Sequence, residues 1–156
     1  MALDDTIGLL AQTPLFGLLE RDALRLLAFS ADARRLRAGE VLFRRGERSD
    51  GGYVVLEGEL TVFRNETEPG IVAGPGSLLG QVALFVRLPR PSTAVASAPT
   101  RVLRISPTLM KRVLQEFPSG AAELRNAVAA ELDELTAGLE RVRRSLLAIG
   151  RRRGAS

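Results

Sequence analysis

Between Gly39 and Gly76 the chain places eight glycines, and the stretches between them are short runs of β-favouring residues: RRLRAGEVLFRRG, GGYVVLEGELTVFRN and GIVAGPGS. A parallel βαβ unit needs a crossover of a dozen or more residues between strands, and this spacing leaves no room for one. Short strands closed by tight turns bury their alternate side chains only by stacking two sheets or closing a barrel. The segment GSLLGQVALF reads as one short helical turn, and STAVASA and RVLRIS as two more strands. Helical spacing of apolar residues flanks this region on both sides. DDTIGLLAQTPLF, capped by Asp4 or Asp5 and interrupted by Pro14, and LLERDALRLLAFS precede it; a helical pattern resumes at Pro107. The predicted fold class is α+β, mainly β: a barrel with N-terminal helices and a long C-terminal helix.

The chain of 156 residues contains no Cys and no His, which removes thiolate chemistry, disulfides, the commonest metal ligand and the commonest general base at neutral pH. Its start, MALDDTIGLLAQ, is acidic and only briefly apolar, unlike a signal peptide, and no stretch approaches the roughly 20 apolar residues of a membrane span. A cytoplasmic, non-enzymatic protein without metal or cofactor is the expectation.

The net charge is +4, and Lys111 is the only lysine among the cations. From Pro69 to Gln115 there is no Asp or Glu, yet Arg87, Arg90, Arg101, Arg104, Lys111 and Arg112 lie there. Those cations have no acidic partner nearby in sequence. Inside this run, GQVALFVRLPRPST sets Gly80 and Gln81 ahead of Arg90 with mostly apolar residues between. The bland reading is a turn capped by Gln81 and a surface Arg90.

The sharper reading comes from a resemblance. LRAGEVLFRRGERSDGGYVVLEGELTVF, with turn glycines Gly39, Gly46 and Gly58, and LGQVALFVRLPRPST resemble the early strands and phosphate-binding cassette of the cyclic-nucleotide-binding domain family. That family includes the catabolite activators and the protein kinase A regulatory subunits. The resemblance spans roughly residues 5–145 and implies a double-stranded β-helix, a jelly-roll barrel. In that family a short helix opens at the cassette glycine and turns its free N–H groups and positive end towards the ligand. By position, the resemblance puts the backbone approach on Gly80, the ribose hydroxyl on Gln81 and the donated N–H groups on Val82 and Ala83. It puts the cyclic phosphate on Arg90, as a charge-assisted hydrogen bond in a low-dielectric site. Ser92 or Thr93 would add a hydroxyl.

Two positions depart from the pattern. Gln81 stands where the family has Glu; its amide oxygen still accepts from a hydroxyl, but without charge the bond is about half as strong. Pro91 stands where a backbone N–H meets the phosphate and has none to give. Losing one donor to a charged group costs about 1.5–3 kcal/mol, roughly ten- to a hundredfold in affinity. In the family a hydroxyl residue after the cassette Arg favours guanine, a part Pro91 cannot play, so cyclic AMP is expected over cyclic GMP.

Towards the end, Val128, Leu132, Leu135, Leu139, Val142, Leu146 and Ile149 are spaced alternately by four and three residues. That heptad seam predicts a homodimer through the C-terminal helix, the other reading being a helix lying on its own barrel. Gly138 within it costs about 1 kcal/mol of helix propensity. Thr136 flanks the seam, and in dimeric family members a polar residue of this helix faces the base. The expected organisation is a barrel with its N-terminal helices over 1–118, the dimerisation helix over 119–150 and a disordered basic tail over 151–156. The chain ends too soon after Ile149 for a helix-turn-helix, so DNA recognition is not expected. The function expected is a stand-alone dimeric cyclic-nucleotide sensor acting on a downstream protein. The alternative is a dimeric interaction scaffold that has lost its ligand.

Overall fold

The structure is a computed structural model of the chain, and it describes residues 2–133. Two helices come first, α1 (Leu3–Gln12) and α2 (Arg21–Ser30), separated by a 3-10 turn at Phe16–Leu18. Eight strands follow among the described residues: β1 (Asp32–Leu36), β2 (Val41–Phe43), β3 (Gly52–Glu57), β4 (Leu60–Phe63), β5 (Ile71–Ala73), β6 (Leu78–Leu79), β7 (Thr93–Ala96) and β8 (Thr100–Ile105). Helix α3 (Pro107–Glu116) and a further helix over 121–133, α4, complete the described chain. The strands form two four-stranded antiparallel sheets, ordered β1-β8-β3-β6 and β2-β7-β4-β5. This is the expected jelly roll.

Register explains how one strand serves two cores. In the β3–β8 pair, Tyr53 lies opposite Arg104, Val54 opposite Leu103 and Val55 opposite Val102. Successive side chains point to opposite faces, so Tyr53, Val55 and Val102 enter the space between the sheets with Leu36, Phe43, Leu60, Ala94 and Ala96. Val54, Leu56, Leu103 and Ile105 face the other way, onto a helical layer. A strand buried on both faces reads as an unbroken apolar run, here YVVL.

The helices cover that second face with Ile7 and Leu10 of α1, Ala23, Leu24 and Leu27 of α2, and Met110, Val113 and Leu114 of α3. Helix α3 starts where Ser106 accepts from Leu109 N–H at 3.1 Å and Pro107 occupies the first turn, where its missing N–H costs nothing. No helix among the described residues is long and apolar enough to cross a membrane.

Three expectations need correction. Asp4 and Asp5 sit inside the first turn of α1, whose cap position is Ala2; their charges complement the helix dipole instead of capping it. GSLLGQVALF is not one helical turn: Leu78 and Leu79 pair with β3, and only Val82–Leu84 coil as a 3-10 turn, because Gly80 breaks the segment with φ +79°. Val128 is buried in the protomer's own helical core beside Leu124, with Leu132 packed partly against it, so the first turns of the seam cover this chain's own surface. Leu135, Leu139, Val142, Leu146, Ile149 and Thr136, with the 151–156 tail, lie outside the described residues.

Candidate functional site

Gly80 ends β6 and leads into the 3-10 turn, and a Cβ there would stand 2.8 Å from Arg90 Nη1. The positive φ of +79° demands glycine, and a side chain there would also crowd the guanidinium. Gln81 opens the turn without a side-chain capping bond. The first N–H donated within the turn is that of Leu84, to Gln81 O at 3.2 Å, which leaves the Val82 and Ala83 N–H groups without an acceptor in their own turn.

The segment before β7 that carries Arg90 is laced to the β2–β3 loop. Arg90 N donates to Glu47 O at 2.7 Å, Gly46 N to Arg90 O at 2.8 Å, and Leu88 N to Ser49 Oγ at 3.1 Å. From this backbone the Arg90 side chain runs into the end of the space between the sheets. Its guanidinium lies 4.3 Å from the Phe43 ring centre and 5.5 Å from that of Tyr53. Nη2 donates to Asp50 Oδ1 and to Gly51 O, both at 2.9 Å. Arg90 is 4% exposed, and its Nη1 is buried with no hydrogen-bond partner among the described residues. Burial lowers the Arg90 pKa from its usual value, and Asp50 offsets part of that effect. The surface-loop reading of Arg90 is thereby corrected.

Gly80, Gln81, Val82, Ala83, Arg90 and Pro91 line one cavity of about 330 Å³, with Ser49, Leu78, Leu79, Leu88, Pro89 and, from α4, Glu131. Its walls are mostly apolar, so a polar ligand is oriented by few groups: one buried cation, one amide, one hydroxyl, the N–H groups of the turn and the carboxylate of Glu131. Ser92 and Thr93 are not among its lining residues. Thr93 opens β7 with its hydroxyl accepting from Arg45 N at 2.9 Å, and Ser92 lines a separate surface depression with Arg45, Arg64 and Ile71.

Sequence reasoning missed Asp50, Phe43, Tyr53 and Glu131. Asp50 comes 40 positions before Arg90, and its signal was the rule that a buried arginine needs a carboxylate or an anion. The same holds along the acid-free run: Arg101 pairs with Glu57, Arg104 with Asp32 and Asp50, and Arg112 with Glu116. The first two draw acids from other strands and from the β2–β3 loop; the third reaches one turn along its own helix, just beyond the run.

A family model described as a cyclic nucleotide-binding domain matches residues 33–117. The chain is 29% identical over 123 residues to a putative potassium channel protein of Rhodopseudomonas palustris, covering 78% of this chain and 30% of that protein. It is 30% identical over 126 residues to a cAMP-dependent protein kinase regulatory subunit of Blastocladiella emersonii, covering 78% and 31%. It thus spans under a third of the length of these relatives. Among solved structures, a cyclic nucleotide-binding-like protein from Brucella abortus shares 39% identity at TM-score 0.64, over 72% of this chain and 99% of that one. The N-terminal domain of a transcriptional regulator from Streptomyces coelicolor shares 30% at TM-score 0.72, over 83% and 93%.

Proposed function

The chain belongs to the cyclic nucleotide-binding domain family, and from that premise we propose that its cavity takes a cyclic nucleotide by the phosphate and acts as a regulatory sensor. The observation that carries this reading is Arg90 Nη1, a buried donor with no protein partner among the described residues, set against Gly80 at the wall of the cavity. A cationic donor held in that state favours an anion, since leaving a charged group unpaired in low dielectric is costly. The phosphate sits on Arg90 and the N–H groups of Val82 and Ala83, and the ribose hydroxyl meets the amide oxygen of Gln81. Pro91 contributes shape and no donor. Cyclic AMP is the preferred ligand over cyclic GMP, because Pro91 has no hydroxyl for the guanine amino group. The sensor works as a cytoplasmic homodimer through residues Leu135, Leu139 and Val142, and passes its state to a downstream protein.

Pro91 and Gln81 also support a second reading, a dimeric scaffold whose cavity stays empty. Calorimetry and thermal melting with cyclic AMP and cyclic GMP separate the two. Ligand at 100 times its Kd raises stability by about 2.7 kcal/mol, several degrees for a chain of this size. Arg90→Ala is expected to abolish that binding and keep the fold. Binding unchanged in Arg90→Ala overturns the phosphate assignment, and a parent protein that no cyclic nucleotide stabilises establishes the scaffold reading.

A further inference from the structure

The edge of Arg90 that faces the cavity depends on what holds the opposite edge. Nη2 is held by Gly51 O and by its charged partner, Asp50, whose side chain is 48% exposed and sits on a loop just before Gly51 and Gly52. An aspartate so placed has several rotamers of similar energy, and stacking on Phe43 with a single bond to Gly51 O leaves a guanidinium room to turn in its own plane. Something must hold Asp50.

Three groups converge on it. Tyr53 donates its hydroxyl to Oδ1 at 3.1 Å, and Arg34 Nη2 and Arg104 Nη1 approach Oδ2 at 3.6 and 3.7 Å. Arg104 alone among them also grips the backbone, donating from Nη1 to Asp50 O at 2.9 Å. It is itself braced: Nη2 donates to Asp32 Oδ2 at 2.7 Å, and its strand lies between β1 and β3, with Arg104 in register with both Asp32 and Tyr53. Arg104 is absent from the cavity lining. Side chains anchored in the middle of a sheet set geometry more sharply than side chains on loops.

We infer that Arg104 is a positioning residue for the anion site: it holds Asp50, and Asp50 holds Arg90 with Nη1 turned to the cavity. This rests on the reading that Arg90 receives an anion, but the positioning itself has a readout without ligand. Hydrogen exchange of the Arg90 guanidinium, followed by NMR on ligand-free protein, should be slow in the parent and faster in Arg104→Gln. Affinity for cyclic AMP should fall roughly tenfold in the same variant, the scale seen when outer partners that orient metal ligands are removed. Arg101→Gln, which breaks a neighbouring pair on the same strand with Glu57, should leave both unchanged. Asp32→Asn, at an exposed position, loosens Arg104 without emptying its place and should move both readouts the same way.

Charge and position are told apart in an Asp50→Ala background, which has no carboxylate left to hold. There Arg104→Gln should have almost no further effect on affinity. A full effect there means that Arg104 acts by its charge alone and overturns the proposal. So does unaltered Arg90 exchange in Arg104→Gln. If the parent binds no cyclic nucleotide, the functional reading fails, and the exchange measurement still decides whether Arg104 positions Arg90.

Discussion

At the scale of single residues, the cavity is defined by one strong group and two weakened ones. Arg90 is buried, stacked and half satisfied, while Gln81 lacks charge and Pro91 lacks a proton to donate. If Pro91 limits affinity, Pro91→Ala restores a donor to the phosphate and should tighten cyclic AMP binding by roughly ten- to a hundredfold, set by about 1.5–3 kcal/mol for a hydrogen bond to a charged group. Gln81→Glu should add a smaller gain. The two side chains meet different parts of one ligand, so the gains should be nearly additive by calorimetry. No gain from either change would count for the scaffold reading.

At the scale of elements, α4 is joined to the fold at one tight point. Gly120, with φ +78°, precedes it, and a Cβ at that position would overlap the carbonyl of Leu18 in the 3-10 turn after α1. Gly120→Ala therefore carries both left-handed strain, about 1–3 kcal/mol, and a clash with backbone that cannot rotate away. Its melting temperature should drop by several degrees, whereas Gly74→Ala, in open space, should change little. The same helix begins in the protomer's own core through Ala121, Leu124 and Val128. The dimer proposal thus concerns the seam positions after residue 133, and Leu135→Asp with Leu139→Asp should give a monomer by sedimentation. Linkage then requires weaker nucleotide binding in that variant if ligand and dimer share the helix. A variant that stays dimeric refutes the seam.

At the scale of the whole molecule, the space between the sheets is apolar along most of its length and charged at one end. There Arg34, Asp50, Tyr53, Arg90 and Arg104 meet. Such a cluster makes stability depend on pH. Burial first, and then the negative charge of Asp50, raises the Tyr53 pKa above its usual 10.0. A raised folded-state value means that this contribution to stability is complete below the unfolded pKa and is lost as pH climbs through the folded one. Tyr53→Phe should cost about 0.5–1.5 kcal/mol at neutral pH through its lost hydrogen bonds. Above pH 10.0 the parent should lose stability faster than Tyr53→Phe, and equal slopes in melting temperature against pH would refute the account.

By itself the sequence determined the mainly-β fold and the flanking helices, and it displayed a stretch that resembles the family's cassette. These follow from local signals: glycine spacing, strand periodicity and a contiguous motif from Gly80 to Thr93. The break at Gly80 was not legible, because Leu78 and Leu79 suit a helix as well as a strand until β3 lies beside them to pair. Whether Val128 faced a partner copy or its own core was open for the same reason, since a seam shows which residues share a stripe and not what covers it. The acid-free run looked uncompensated because Asp50 and Glu57 are 40 and 44 positions from the arginines they pair with. Only the register of β1, β8 and β3, and the loop folded over them, brings those charges within reach. Coulomb attraction depends on distance in space, and the stacked sheets decided that distance.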